Sequence, residues 1–341
     1  MRKYLLPEKG TFYKANLHCH TNVSDGKKTP QEVKELYQKK GYSIVAYTDH
    51  NAFIPHNDLT DENFLALNGF EIDVVNHYGT HEEFEVKRCD FSLIALDSET
   101  VYQPLWHRRL YQENIKEEIK KLIQTDENET NYRRSYTVEC ISYLMKTARE
   151  KGFYVILNHP TRSRESYMNY TRYEGMHAIE LFNGDSIRTG HDDYNPQVYD
   201  ELLNNGKRVF GIGADENHNW EPDDSRYSDS GWAWTMIKSE SLDYRSVTSA
   251  LEKGHFYSSE GPEIYELYYE DEKIHVKCSP ATKIICKSQH RVGQRIHAQN
   301  GVEVTEVAFA ANSDWGYFRI VVQDKYGRKA STNAYLPEDW M

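Results

Sequence analysis

The chain has 341 residues, 41 of them basic and 53 acidic, for a formal charge of −12. At roughly 150 residues per domain this sets a prior of one large domain or two, and 38% apolar with 28% charged residues excludes a disordered chain. No apolar run approaches the roughly 20 residues that span a bilayer, and the net negative field disfavours long nucleic acid as a partner. The opening Met1-Arg2-Lys3-Tyr4-Leu5-Leu6 has a basic pair but too short an apolar stretch for a secretory signal. Cys19, Cys89, Cys140, Cys278 and Cys286 are scattered without a Cys-x-x-Cys pair, which speaks against a zinc knuckle or disulfide framework and for a reducing cytoplasm.

In chain order, Phe12 to Leu17 reads as a strand running into His18-Cys19-His20-Thr21. Thr29-Pro30-Gln31-Glu32 supplies an N-cap, a proline at the first helical position and an early acid, and Val33, Leu36 and Tyr37 follow at helical spacing until Gly41. Tyr42 to Thr48 is the next predicted strand and ends in Asp49-His50. Phe64 to Glu71 and Phe91 to Leu96 follow, then Phe153 to Leu157 ending in Asn158-His159-Pro160. Ala178 to Phe182 and Val209 to Ile212 complete the series, the last running into Gly213-Ala214-Asp215-Glu216-Asn217-His218. Helices are predicted over Thr137 to Glu150 and Tyr194 to Asn205, and the charged stretch from Leu110 to Thr137 as a solvated helix hairpin or insertion.

After Gly261-Pro262 the texture changes to short strand-like runs: Ile264 to Tyr269, Lys273 to Cys278, Lys283 to Lys287, Val302 to Ala310 and Tyr317 to Gln323. This predicts a small all-β domain. The expected division is residues 1–262, with an insertion at about 100–136, and a β-sandwich-like unit over 263–341. Trp315-Gly316-Tyr317-Phe318 is expected in the core of that unit, with Tyr265, Tyr268 and Tyr269 covering its seam with the first.

The ionisable residues gather at strand ends. His18 and His20, Asp49 and His50, Glu71, His159 and the Asp215 to His218 group each follow a predicted strand. In a (β/α) barrel those ends converge on one face, where catalytic groups sit. His-x-His at a strand end puts both rings on the same side, and Asp25 on the next loop adds a carboxylate. Any single strand end of this kind has a structural explanation, a cap or a core imidazole; their conjunction does not. Imidazole with carboxylate suits zinc, manganese or iron, and paired metals can hold a hydroxide and clamp the oxygens of a displacement at phosphorus.

Leu17-His18-Cys19-His20-Thr21, Ser24-Asp25-Gly26 and Tyr47-Thr48-Asp49-His50-Asn51 resemble the opening motifs of the PHP (polymerase and histidinol phosphatase) domain. Gly69-Phe70-Glu71-Ile72, Asn158-His159-Pro160, Ile179-Glu180-Leu181-Phe182-Asn183-Gly184 and Gly206-Lys207-Arg208-Val209-Phe210 resemble its later segments in order, over roughly residues 10–260. Gly254 to Pro262 and Arg328 to Asn333 resemble the tail of a subgroup with a C-terminal β domain. The resemblance implies a distorted (β/α)7 TIM-like barrel holding two or three divalent ions (Mn, Fe or Zn). It makes His18, His20, Asp25, His50, Glu71 and His159 metal ligands. Two positions depart from the pattern. Where the family has Asp-x-His, this chain has Asp215-Glu216-Asn217-His218, so either Glu216 or Asp215 accompanies His218. Where a histidine is expected after Glu71, this chain has Cys89-Asp90, so Asp90, His81 or His77 fills that place.

The expected function is hydrolysis of a small phosphorylated metabolite or nucleotide through a metal-bridging hydroxide, with Arg162 and Arg164 gripping the phosphate. The alternatives are hydrolysis of an ester, amide or carbamate at the same centre, and a non-catalytic binding module. Two or more cationic side chains facing the metals separate the phosphate reading from the carbonyl one.

Overall fold

A computed structural model describes residues 2–77, 85–113, 115–291 and 293–341. The first strands are β1 (Lys3–Tyr4), β2 (Thr11–Asn16), β3 (Ile44–Tyr47) and β4 (Leu65–His77). β5 (Glu85–Ala95), β6 (Phe153–Leu157), β7 (Ala178–Asn183) and β8 (Phe210–Ala214) follow. β3, β6 and β7 are buried along their whole length, as continuous apolar runs covered on both faces must be. Helix α1 (Pro30–Lys39) starts at the predicted cap: Thr29 and Glu32 form a reciprocal capping box, and Val33, Leu36 and Tyr37 are its buried stripe. Helices α2 (Val138–Glu150) and α3 (Pro196–Asn204) lie close to their predicted spans.

β2, β3 and β4 are parallel, as are β6, β7 and β8. Between these groups β5 runs antiparallel to both β4 and β6, which departs from uninterrupted β/α alternation. The reversal matters for the site. Glu71 lies opposite Ser92 and Asp73 opposite Asp90, so the beginning of β5, not its end, lies beside the residues that follow Glu71.

The remaining strands are β9 (Trp234–Ser239), β10 (Phe256–Ser259), β11 (Ile264–Glu270), β12 (Lys273–Ala281) and β13 (Lys283–Ser288). β14 (Gln294–His297), β15 (Val304–Ala310), β16 (Phe318–Gln323) and β17 (Lys329–Thr332) end the series, and helix α4 (Tyr244–Glu252) joins β9 to β10. One large sheet has the order β14-β13-β16-β17-β10-β9-β2-β3-β4-β5-β6-β7-β8. A second, β1-β11-β12-β15, takes its edge strand from the start of the chain. The tail is therefore two-layered. Leu5, Leu6, Leu267, Ile274, Val276 and Phe309 share one apolar core with Ile284, Ile320 and Val322, and Trp315 and Phe318 lie in it.

Tyr268 and Tyr269 meet the first 262 residues at β1, where they pair with Tyr4 and Lys3 and the Tyr268 ring lies 5.6 Å from that of Tyr4. Tyr265 is exposed, Tyr268 stacks on His275 with ring centroids 4.7 Å apart, and Tyr269 packs on Trp340 at 5.4 Å. Polar groups also join the tail to the rest of the chain. Arg319 is fully buried and donates from Nε and Nη2 to Asp200 of α3 at 2.9 and 3.1 Å, and from Nη1 to Ser331 Oγ at 3.1 Å. Asn333 accepts from the Gly211 N–H and donates to the carbonyls of Gly254 and Phe256.

The charged stretch before α2 contains one short helix among the described residues, Glu117–Lys120, and no helix hairpin. Ile115, with Trp106, Ile119 and Ile123, packs on Val23 and Ala52. That places it against the loops that follow β2 and β3. No helix among the described residues is long and apolar enough to cross a membrane, and all five cysteines are free.

Candidate metal centre

His18 and His20 leave the end of β2 on one side of the chain, with Cys19 turned the other way into a cluster around Val33, Tyr37 and Val45. A parallel bridge between Cys19 and Asn217 ties this segment to the one after β8; the His20 N–H donates to the Asn217 carbonyl and the Glu216 N–H to that of His18. The two segments thereby share one rim. The loop after His20 is fixed by Asp49, whose carboxylate accepts from the N–H and hydroxyl of both Thr21 and Ser24. This brings Asp25 back over the rim, 3.7 Å from His20 Nδ1, 3.7 Å from His50 Nε2 and 3.5 Å from His218 Nε2.

Glu71 is the centre of the cluster. It is fully buried, with oxygens 3.4 Å from the Nε2 atoms of His18 and His20, 3.0 Å from His50 Nδ1 and 3.9 Å from His159 Nε2. His159 Nε2 also lies 3.4 Å from Glu216 and 3.7 Å from Asp90. Ligand-type atoms gather within 4.8 Å of one another in the groups His20-Asp25-His50-His218, His18-His20-Glu216 and Glu71-Asp90-His159, each able to hold a metal ion.

The sequence motifs thus come together on one rim, where Glu216 and Asp90 both lie. Glu216 faces His159, and its backbone takes the left-handed φ of +52° that turns it there. Asp215 points away: its carboxylate accepts from the backbone N–H groups of Gly231, Trp232 and Ala233 and from the Tyr37 hydroxyl. Asp90 lies at the rim with both oxygens 2.8 Å from Arg88 Nε. His81 lies outside the described residues, as does the side chain of His77. Arg162 donates to Glu216 and approaches Asp185 at 3.0 Å, while Arg164 is exposed without an ion pair among the described residues.

Sequence reasoning assigned no role to Glu180, Asn158 or Asn183. Glu180 is fully buried in β7, accepts from His18 Nδ1 at 2.7 Å and from the backbone N–H of His159 at 2.7 Å, and so orients the His18 ring and fixes the chain at His159. Asn158 donates to Glu71 at 2.6 Å, and Asn183 to both Glu180 and Glu216. The available signal was the lone acid in the otherwise apolar run Ala178-Ile179-Glu180-Leu181-Phe182, where an unpaired carboxylate is not tolerated.

Electrostatics divide the histidines. Burial, reinforced by His218 and His50, holds His20 well below the ordinary histidine value, so its ring is neutral. Burial acts the same way on His18, yet Glu71 and Glu180 outweigh it and raise His18 well above that value. At His50 burial is likewise outweighed, chiefly by Glu71, and the pKa rises to about 9. Burial opposes ionisation of Glu71 and Glu216; His18 and His50 nevertheless pull the first well down, and Arg162 and His159 the second. Burial pushes Asp90 up to about 6 against the pull of Arg88.

The donor set fits a divalent cation. His20 Nδ1, His50 Nδ1, Glu71 Oε2 and His159 Nε2 are buried without a hydrogen-bond partner, which is costly unless another group satisfies them. Imidazole nitrogens and carboxylate oxygens with no thiolate match zinc, manganese or iron. The opposite ring nitrogens of His18 and His159 are held by Glu180 and by Ser163 Oγ at 2.9 Å, the arrangement that aims Nε2 at a metal.

No family model and no curated protein matches the chain. Among solved structures it is similar to a two-domain protein from Bacteroides vulgatus containing a predicted PHP-like metal-dependent phosphoesterase, at 13% identity over 97% of this chain and 98% of that one, TM-score 0.45. A protein from Bifidobacterium adolescentis described as a metal-dependent phosphoesterase is 18% identical over 62% of this chain and 89% of that one, TM-score 0.40. An amidohydrolase from Chromobacterium violaceum is 13% identical over 60% and 87%, TM-score 0.38.

Proposed function

We propose that the chain is a metal-dependent phosphoesterase of the PHP type, acting on a small phosphorylated metabolite or nucleotide. In this reading residues 1–262 form a distorted (β/α)7 barrel that carries the centre, and residues 263–341 form a β-sandwich-like unit beside it. His18, His20, Asp25, His50, Glu71, Asp90, His159, Glu216 and His218 hold two or three divalent ions (Mn, Fe or Zn). Asp215 instead anchors the loop at Gly231 to Ala233. Free cysteines suit a reducing, cytoplasmic setting.

The observation that carries the phosphate reading is the pocket above the cluster. It has a volume of about 480 Å³ and is lined by Lys87, Arg88, Arg162 and Arg164 together with His159, Glu216 and His218. Four cations facing the ligands suit a phosphoryl group better than a neutral carbonyl, and arginine can bind its oxygens bidentately. Bound divalent ions supply Lewis-acid activation of water and offset negative charge developing on the phosphoryl oxygens. The chain's own residues do the rest. Arg164 and Lys87, neither in an ion pair among the described residues, take the non-reacting oxygens of the substrate. Arg162, fixed by Glu216 and Asp185, keeps a cation at the pocket wall. Glu180, Asn158 and Asn183 hold the rings and carboxylates in place, so little reorganisation is needed as charge moves.

The test is manganese-loaded protein assayed against a panel of phosphomonoesters and phosphodiesters beside carboxylic esters and amides. Turnover confined to the phosphate compounds is expected. Turnover of the carbonyl compounds alone, or none with any metal, would overturn the reading.

A further inference from the structure

We propose, on the metal reading above, that Gln103 and Arg134, in the segment between β5 and α2, are positioning residues that aim the His50 ring at a metal ion. The rings at the rim are held in different ways. The Nδ1 atoms of His18, His159 and His218 are fixed from behind, by Glu180, by Ser163 Oγ and by the Glu216 carbonyl. His50 has no such group behind it. Its Nδ1 faces Glu71 at 3.0 Å and its Nε2 faces Asp25 at 3.7 Å, and both carboxylates are themselves candidate ligands. The aim of this ring therefore comes from the backbone that carries it.

That backbone turns sharply just after His50. Asn51 has a φ of +57°, a region that a residue with a side chain keeps only when its surroundings hold it there. The Asn51 N–H donates to the Glu71 carbonyl at 2.8 Å, and its side-chain amide donates to Asp73 Oδ1 at 2.8 Å. Its carbonyl accepts from Gln103 Nε2 at 2.9 Å, while Gln103 Oε1 accepts from the Phe53 N–H at 2.8 Å. One buried amide thus grips both ends of the turn. Gln103 is 1% exposed, and its own N–H donates to the Gln124 carbonyl at 2.8 Å, which seats it in its segment.

Arg134 secures the other arm. Its Nη1 donates to the Asp73 carbonyl at 3.0 Å and lies 3.4 Å from Asp73 Oδ1, the atom that accepts from Asn51. The guanidinium sits over the Tyr111 ring at 4.2 Å, and the Arg134 N–H donates to the Tyr111 hydroxyl at 2.8 Å. The Arg134 side chain is only 5% exposed, yet its Nε and Asn51 Oδ1 are buried without a hydrogen-bond partner. A clamp that serves stability alone satisfies its buried groups. This one leaves two open, while its bonds converge on the residue that follows His50.

The experiment is calorimetric titration of the metal-free full chain with manganese, with circular dichroism to confirm each fold. The proteins are wild type, Gln103→Met, Arg134→Met, Arg134→Lys and, as a control at an exposed arginine of the same segment, Arg133→Met. In Gln103→Met and Arg134→Met one equivalent, the ion of the His20-Asp25-His50-His218 group, should bind at least tenfold more weakly while the rest keep their affinity. The sign separates position from charge. Removing a cation near a metal tightens the ion by Coulomb attraction, so weakening in Arg134→Met reports geometry. Arg134→Lys, which can still pair with Asp73, should recover most of the affinity, and Arg133→Met should match wild type. Unchanged or tighter binding in both methionine variants, or equal weakening of every equivalent, would overturn the proposal. Loss of the fold in both would make these contacts structural and overturn it as well. No manganese uptake by wild type would instead overturn the metal reading, and the positioning roles with it.

Discussion

Charge is buried deeply both at the rim and at the junction with the tail, and the two are built differently. At the junction between the tail and α3, Arg319 is fully buried and each of its donor nitrogens is satisfied, by Asp200 and Ser331. At the rim, Glu71 and four histidines are packed as tightly, yet His20 Nδ1, His50 Nδ1, Glu71 Oε2 and His159 Nε2 are left without hydrogen bonds. A closed network needs no further group and acts as a structural clamp. An open one, whose outer atoms are held by Glu180, Ser163 and Asn158 while the inner atoms face each other, is organised around a ligand.

Four perturbations would break or sharpen that contrast. Asp200→Asn leaves the buried guanidinium of Arg319 without its counter-charge and should cost about 3 kcal/mol of stability, read by denaturant unfolding. A loss of less than about 1 kcal/mol would mean the junction is no clamp. Glu71→Gln should do the opposite kind of damage. Metal affinity and activity fall by roughly 100-fold or more while the secondary structure, read by circular dichroism, persists.

Arg164→Ala is milder. It removes an exposed cation, so KM for a phosphate substrate should rise roughly tenfold, the worth of one good charge-assisted contact, with kcat nearly unchanged. A fall in kcat with KM constant would place Arg164 in the reacting geometry instead.

The smallest effect is one of pH. Burial and the neighbouring Asp193 carboxyl raise Glu260 from 4.5 to about 8. The folded state therefore keeps this proton longer than the unfolded chain does. The associated stability is present below pH 4.5 and lost as pH rises through about 8. Melting temperature in wild type should fall across that window more steeply than in Glu260→Gln. Parallel curves would show that Glu260 does not carry the dependence.

Much of the rim was legible in the sequence because strand geometry is local. His18 and His20 share a side by the period of two, and β3 and β6 announce themselves as apolar runs ending in polar ligand types. The direction of β5 was not legible, since an apolar run looks the same read either way and only its pairing shows that Asp90 comes to the rim. The choice between Asp215 and Glu216 turns on the +52° φ of Glu216 and on three backbone N–H groups from Gly231 to Ala233. Those N–H groups belong to the loop just before β9, a strand that sequence patterning did not mark. The tyrosines at 268 and 269 meet β1, but patterning did not mark Arg319 and Asn333 at the junction, because their burial depends on partners far away in sequence.

The central claim is that the unsatisfied rim atoms are metal ligands. Elemental analysis after equilibrium dialysis of the full chain against manganese, zinc and iron tests it most directly, with Glu71→Gln and Asp200→Asn in parallel. Two or three equivalents per chain in wild type and in folded Asp200→Asn, and a clear loss in Glu71→Gln, are predicted. No stoichiometric metal in wild type, or equal content in Glu71→Gln, would contradict the account.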